Sequence, residues 1–146
     1  MVKPAIIRCE APGDAEREAI LKLLIAYNDT KTKPANAKPL AILLRDPASE
    51  ETVGGLWGKV SYDWLYVELL IVPERYRSQD LGTDLMRRAE EFARDQGCIG
   101  VWLNTFEFQA LSFYQKNGYS LFGTLDDRPQ ASKFYFLQKR FDPSQA

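Results

Sequence analysis

The segment Val72-Pro-Glu-Arg-Tyr-Arg77-Ser-Gln-Asp80-Leu-Gly82-Thr83 joins an apolar run to an amphipathic one and holds the residue types that an anion needs. The first N–H groups of a helix have no intrahelical acceptor and carry partial positive charge, so a strand-to-helix junction makes a ready anion site. Gly82 lets a phosphate approach the backbone, Thr83 adds a hydroxyl, and Arg75 or Arg77 supplies full charge. One glycine is a weak signal, and a plain turn with solvated arginines fits the same spacing. Upstream, Glu68 is the lone carboxylate of the run Trp64–Val72, where desolvation would favour a proton-accepting acid–base role. Alternation places it on a face with Tyr66, Leu70 and Val72; a Glu satisfied by a neighbouring Arg or Tyr fits equally well. Asn104 and Glu107, near the end of the following strand, are further pocket candidates.

Composition narrows the chemistry. The chain has no histidine, which excludes Ser-His-Asp and Cys-His nucleophile pairs, His-ligated zinc and any imidazole base. Proton transfer falls to carboxylates, Tyr, Lys, Cys or water. With 19 basic and 20 acidic residues the net charge is −1, so the overall field gives no reason to expect nucleic acid. Cys9 and Cys98 are too few and too far apart for a metal motif or a disulfide framework, and they fit reduced thiols in the cytoplasm. The start, Met-Val-Lys-Pro, lacks the apolar core of a signal peptide, and no apolar run approaches the ~20 residues of a membrane span. A cytoplasmic protein without membrane segment or metal site is expected.

The positioning elements follow from periodicity. At 146 residues, with 45% hydrophobic and 27% charged residues, the chain fits one α/β domain over 1–146. Ile6–Arg8 is a short strand candidate, Asp14 stands at a helix start, and Ile20, Leu23, Leu24 and Tyr27 fall on one buried face of a helix over 14–28. Residues 29–39 form a loop with two prolines and three lysines. Strands are expected over Leu40–Arg45, Thr52–Val60 and Trp64–Val72, the last central and covered on both sides. A helix opening at Leu81 and closed by Gly97, a strand over 99–105, a short helix over Ala110–Asn117, and strands over Tyr119–Leu125 and Ser132–Arg140 complete the chain. The order β-α-β-β-β-α-β-α-β-β predicts a single mixed, mostly antiparallel sheet flanked by helices.

Several motifs on these elements resemble those of one family. Arg77-Ser-Gln79-Asp80-Leu81-Gly82 is similar to the acetyl-CoA pyrophosphate loop of the GNAT N-acetyltransferases, Arg/Gln-x-x-Gly-x-Gly/Ala, with Asp80 in place of the first glycine. Phe113-Tyr114-Gln-Lys-Asn-Gly118-Tyr119 resembles the family's Phe/Leu-Tyr-x-Lys-x-Gly-Phe/Tyr signature, and Phe106-Glu-Phe108-Gln109-Ala110 resembles a variant found in one branch. The resemblance implies acetyl-CoA as co-substrate, its pantetheine arm along Leu70, Ile71 and Val72, and its pyrophosphate on Arg77, Ser78, Gln79, Asp80, Leu81, Gly82 and Thr83. It further implies Tyr114 as general acid toward the sulfur and Glu68 or a water as base. Tyr27, Asn104 and Glu107 are the acceptor-site candidates, together with Asp126, Asp127 and Arg128 around the last two strands. The acceptor so implied is a small-molecule amine or a peptide amine. A non-catalytic acyl-CoA-binding domain is the second reading, favoured by Asp80. A homodimer is expected by analogy, with Phe134-Tyr-Phe136 either pairing through the sheet or packing on the core.

Overall fold

The structure, a computed structural model, describes residues 1–142. Residues Met1–Pro34 and Ala35–Ala146 form two compact units. In the first, α1 (Asp14–Asp29) starts after Gly13, not after an Asp14 cap; the Glu16 carboxylate reaches back to accept from the Gly13 N–H at 3.0 Å. Ile6–Arg8 form no strand. The 34-residue unit contains no second strand to complete a ladder, and short strands persist only as paired ones. Nor is the apolar face of α1 buried: Ile20, Leu23 and Leu24 are exposed.

Among the described residues the second unit holds six strands and two α-helices. These are β1 (Lys38–Arg45), β2 (Thr52–Ser61), β3 (Trp64–Ile71), α2 (Leu81–Asp95), β4 (Gly100–Phe106), α3 (Leu111–Lys116), β5 (Ser120–Asp126) and β6 (Lys133–Arg140). They form one mixed sheet in the order β1-β2-β3-β4-β6-β5, antiparallel throughout except for the parallel pair β3–β4. Among the described residues no helix is long and apolar enough to cross a membrane. Since β6 lies between β4 and β5, both its edges are already paired, and Phe134-Tyr-Phe136 cannot join a second subunit's sheet.

Binary pattern explains how α2 settles on this sheet. Leu85, Met86, Ala89 and Ala93 recur at helical spacing and are at most 2% exposed. They pack on Leu65 and Val67 of β3, Val101 and Leu103 of β4, and Leu137 of β6. Each such Leu or Val contributes about 1.5–3 kcal/mol by leaving water. Alternation then assigns Tyr66, Trp102, Asn104 and Phe106 to the opposite face of the sheet. Gly97 at φ +77 turns the chain out of α2, as its position after the last helical residues anticipates.

Candidate active site

The two parallel strands pair only from Trp64–Val67 against Gly100–Leu103. Beyond Val67 and Leu103 they diverge, and a cleft of about 870 Å³ opens between them. A bulge marks the fork. Trp57 of β2 faces Leu69 and the next residue, Gly58, faces Val67, so Glu68 is the extra residue without a partner. A one-residue insertion exchanges the faces of everything beyond it. Leu70 and Val72 therefore pack toward the same core as Val67, whereas Leu69 and Ile71 are 61% and 57% exposed. The expected sharing of one face by Glu68, Leu70 and Val72 is thus corrected, as is the expectation that the whole strand is covered. Glu68 itself is exposed, so the desolvation invoked for it is absent.

At the far end of β3, Pro73 leads through a 3-10 turn, Glu74–Tyr76, into the loop before α2. Arg77 bends back, its Nε donating to the Val72 carbonyl at 3.2 Å, while Arg75 lies over the Tyr76 ring at 4.8 Å. Of the two arginines only Arg77 lines the cleft. Ser78 and Asp80 both have left-handed backbones, at φ +73 and +58. Aspartate is among the few non-glycine residues that visit this region readily, which is how Asp80 stands where the resembling motif has glycine. Asp80 occupies the N-cap position of α2, but its carboxylate makes no capping hydrogen bond, and it lines the cleft. The Asp84 N–H is the first to bond back along the helix, to Asp80 O at 3.0 Å. The N–H groups of Leu81, Gly82 and Thr83 therefore lack intrahelical acceptors, and all three residues face the cleft. Gly82 has a further reason to be glycine: a Cβ there would sit 3.1 Å from Cζ of Phe113.

The opposite wall comes from β4 and α3. Asn104 donates from Nδ2 to the Tyr66 hydroxyl at 3.0 Å, and Tyr66 stacks on Trp102 with centroids 4.2 Å apart. Gln109 holds the next turn, its Oε1 accepting from the Phe106 N–H at 2.8 Å and from the Thr105 hydroxyl at 3.1 Å. Tyr114 is 7% exposed, and burial pushes its phenol up to about 12. Among the described residues its hydroxyl has no hydrogen-bond partner, yet no buried polar atom is left unsatisfied, so that oxygen reaches the cleft Tyr114 lines.

The sequence candidates are therefore only partly brought together. Glu68, Leu70, Ile71 and Val72 form one wall, the loop from Arg77 to Thr83 without Gln79 forms the end, and Asn104 and Tyr114 form the other wall. Gln79 and Glu107 are not in the lining. Glu107 instead accepts from the Lys133 N–H at 2.8 Å, and Asp126 pairs with the Lys133 ammonium at 2.7 Å. Asp127 accepts from the Ala131 N–H at 3.0 Å, so the acidic rim is largely engaged by its own loop. Tyr27 belongs to α1 and carries the Lys31 ammonium 5.7 Å above its ring. Phe108 and Phe113 are lining residues that sequence reasoning did not single out by position, although the motifs containing them were visible.

A mixed sheet opened between two parallel strands, with a helix amino terminus at the end of the opening, defines an α/β protein whose cleft suits an extended ligand with an anionic group at one end. The model of the acetyltransferase (GNAT) family matches residues 9–119, and the chain belongs to that family. An acetyltransferase of Agrobacterium fabrum is 38% identical over 130 residues, covering 88% of this chain and 94% of the relative. The blasticidin-S acetyltransferase of Streptomyces morookaense is 39% identical over 112 residues, covering 75% of this chain and 82% of its own. A crystal structure from Agrobacterium tumefaciens, described as an acetyltransferase, superposes with a TM-score of 0.86 at 34% identity, over 95% of this chain and 100% of that one.

Proposed function

We propose that residues 1–146 act as one acetyl-CoA-dependent N-acetyltransferase domain that transfers the acetyl group to a small-molecule amine by direct attack. The observation that carries this reading is the fork. Beyond Val67 and Leu103 the facing edges of β3 and β4 have no partner in each other, and the opening ends on the free N–H groups of Leu81–Thr83. An extended pantetheine arm fits the backbone of Leu70–Val72 by hydrogen bonding as a strand would, and a pyrophosphate fits the N–H groups, Ser78 and Thr83. Arg77 adds charge at the rim. Asp80 opposes that charge and is the feature favouring a non-catalytic acyl-CoA-binding domain; Tyr114, open to the cleft, favours the enzyme.

In the transfer, the neutral amine nitrogen bonds to the thioester carbonyl carbon and the carbon–sulfur bond breaks. Glu68 or a water takes the amine proton, and the carbon–sulfur electron pair leaves on sulfur. Tyr114 donates its O–H to that sulfur as a hydrogen bond, and a proton relayed from solvent through this contact completes the free thiol beside the amide. The relative's name places blasticidin S among the amines to test. A peptide amine is the other acceptor class, and two free thiols, Cys9 and Cys98, suit a reducing cytoplasm.

Acetyl-CoA at about 100 times its Kd should stabilise the folded protein by about 2.7 kcal/mol, read as a rise in melting temperature. Thiol release is then followed across amines that include blasticidin S. A chain that gains no stability from acetyl-CoA contradicts donor binding. One that gains it but releases no thiol with any amine favours the binding domain.

A further inference from the structure

We infer that the acceptor amine carries a flat unsaturated ring, which stacks on the free face of Phe108. The inference rests on the acetyl-transfer reading above and names its substrate class. Helix α2, with the loop assigned to the donor, packs on the face of the sheet that holds Val67 and Leu103. Tyr114 belongs to that same core. With the donor on the α2 side, the open approach to the fork lies on the other side, the face of Tyr66, Asn104 and Phe106, and an acceptor entering there can reach the thioester for direct attack. On that side Phe108 is stacked on Phe106, with centroids 5.1 Å apart and planes within 9°.

The stack is anchored behind. Phe106 leans on Phe134 at 4.7 Å, and the Arg128 guanidinium lies 4.4 Å from the Phe134 centroid and 5.6 Å from that of Phe106. Phe106 is thereby held in place as the plate on which Phe108 rests, and Phe108 keeps its outer face open, 69% exposed at the wall of the cleft. A ring fixed in advance loses little entropy on binding, and offset stacking adds to what area burial alone provides. Glu68, exposed at the fork, supplies a carboxylate for the cationic end of the same molecule.

The test compares benzylamine with cyclohexylmethylamine, which share a skeleton and differ in flatness. Area burial alone favours the saturated ring, so a preference for benzylamine isolates stacking. Affinities are measured by NMR titration of the protein saturated with CoA. Benzylamine should bind about two- to tenfold more tightly, the range that one aromatic pair contributes. Phe108→Leu, which keeps apolar bulk without the ring, should abolish the preference, and Phe108→Trp should retain it. Equal affinities in the unmodified protein, or a preference that survives Phe108→Leu, overturns the inference. Failure of the donor reading appears separately, as absence of any thermal shift with acetyl-CoA.

Discussion

Tyr114→Phe is expected to lower kcat by about 10²-fold, near the lower end of what a positioned proton donor contributes. Folding should be unaffected: the hydroxyl has no partner within the described protein, so its removal is expected to change stability by no more than about 0.5 kcal/mol. The magnitude follows from acidity. An aliphatic thiol titrates at roughly 8.5, whereas burial pushes Tyr114 up to about 12, so the phenol holds its proton more tightly than the sulfur does. In the proposed transfer it would therefore stabilise the departing sulfur mainly as a hydrogen-bond donor. The same shift fixes the pH dependence. A donor must be protonated, and a group titrating at about 12 is protonated throughout the range pH 6–10. The rate should rise with pH as the amine loses its proton, without an alkaline decline below pH ~10. Steady-state kinetics of the two proteins at matched pH check both statements. Unchanged kcat in Tyr114→Phe would remove the hydroxyl from the mechanism, and a declining limb near pH 9 would show a different acid at work.

The frame that holds Tyr114 was legible because each element carries its own local signal. The segment opening at Leu81 shows Leu85, Ala89 and Ala93 at helical spacing, and the helix observed is Leu81–Asp95. Trp64–Val72 reads as a strand because apolar residues dominate it, and Trp64–Ile71 is one. What remained hidden depends on partners. The bulge at Glu68 exists only in the register of β2 against β3, where Trp57 and Gly58 skip a residue, and no pattern within β3 alone reveals it. From that one skipped residue follow the exposure of Leu69 and Ile71 and the divergence from β4 beside them. Likewise Glu107 looks like a pocket carboxylate until Lys133, 26 positions away, is found donating to it. The Ile6–Arg8 strand failed for the converse reason: its composition was right and no ladder partner stood beside it. The motif around Tyr114 was readable because it is contiguous in the chain, running from α3 through the turn at Gly118 to Tyr119.

The largest loss of stability is expected from Glu90→Ala, about 3 kcal/mol, or roughly 10 °C in melting temperature for a domain of this size. Glu90 is 6% exposed on α2 and binds two groups at once: its Oε2 accepts from the Tyr119 hydroxyl at 2.8 Å, and its Oε1 accepts from Lys139 Nζ at 2.9 Å. Lys139 also donates to the Asn117 carbonyl at 3.1 Å. Alanine removes the common acceptor and leaves a phenol, 3% exposed, unable to reach water. The Lys139 side chain, 28% exposed, can turn partly to solvent, which keeps the estimate at the lower end for a broken buried pair. Glu90→Gln retains an acceptor for Tyr119 but loses the charge opposite Lys139, so a smaller loss of about 1–2 kcal/mol is expected. Burial, reinforced by the negative Glu90, pushes the Tyr119 phenol above its ordinary range. That contribution is fully present below the unfolded value near 10 and is lost only as the pH rises through the folded one, so both variants should show a constant deficit between pH 6 and 9. Urea unfolding at two pH values checks the sign and the size; a Glu90→Ala protein melting within 2 °C of the parent would show the pair to be energetically neutral. The network also ties α2 to the C-terminal end of α3 through Asn117. Loosening it should shift Tyr114 relative to the loop before α2, and so raise KM for acetyl-CoA in Glu90→Ala below its melting temperature.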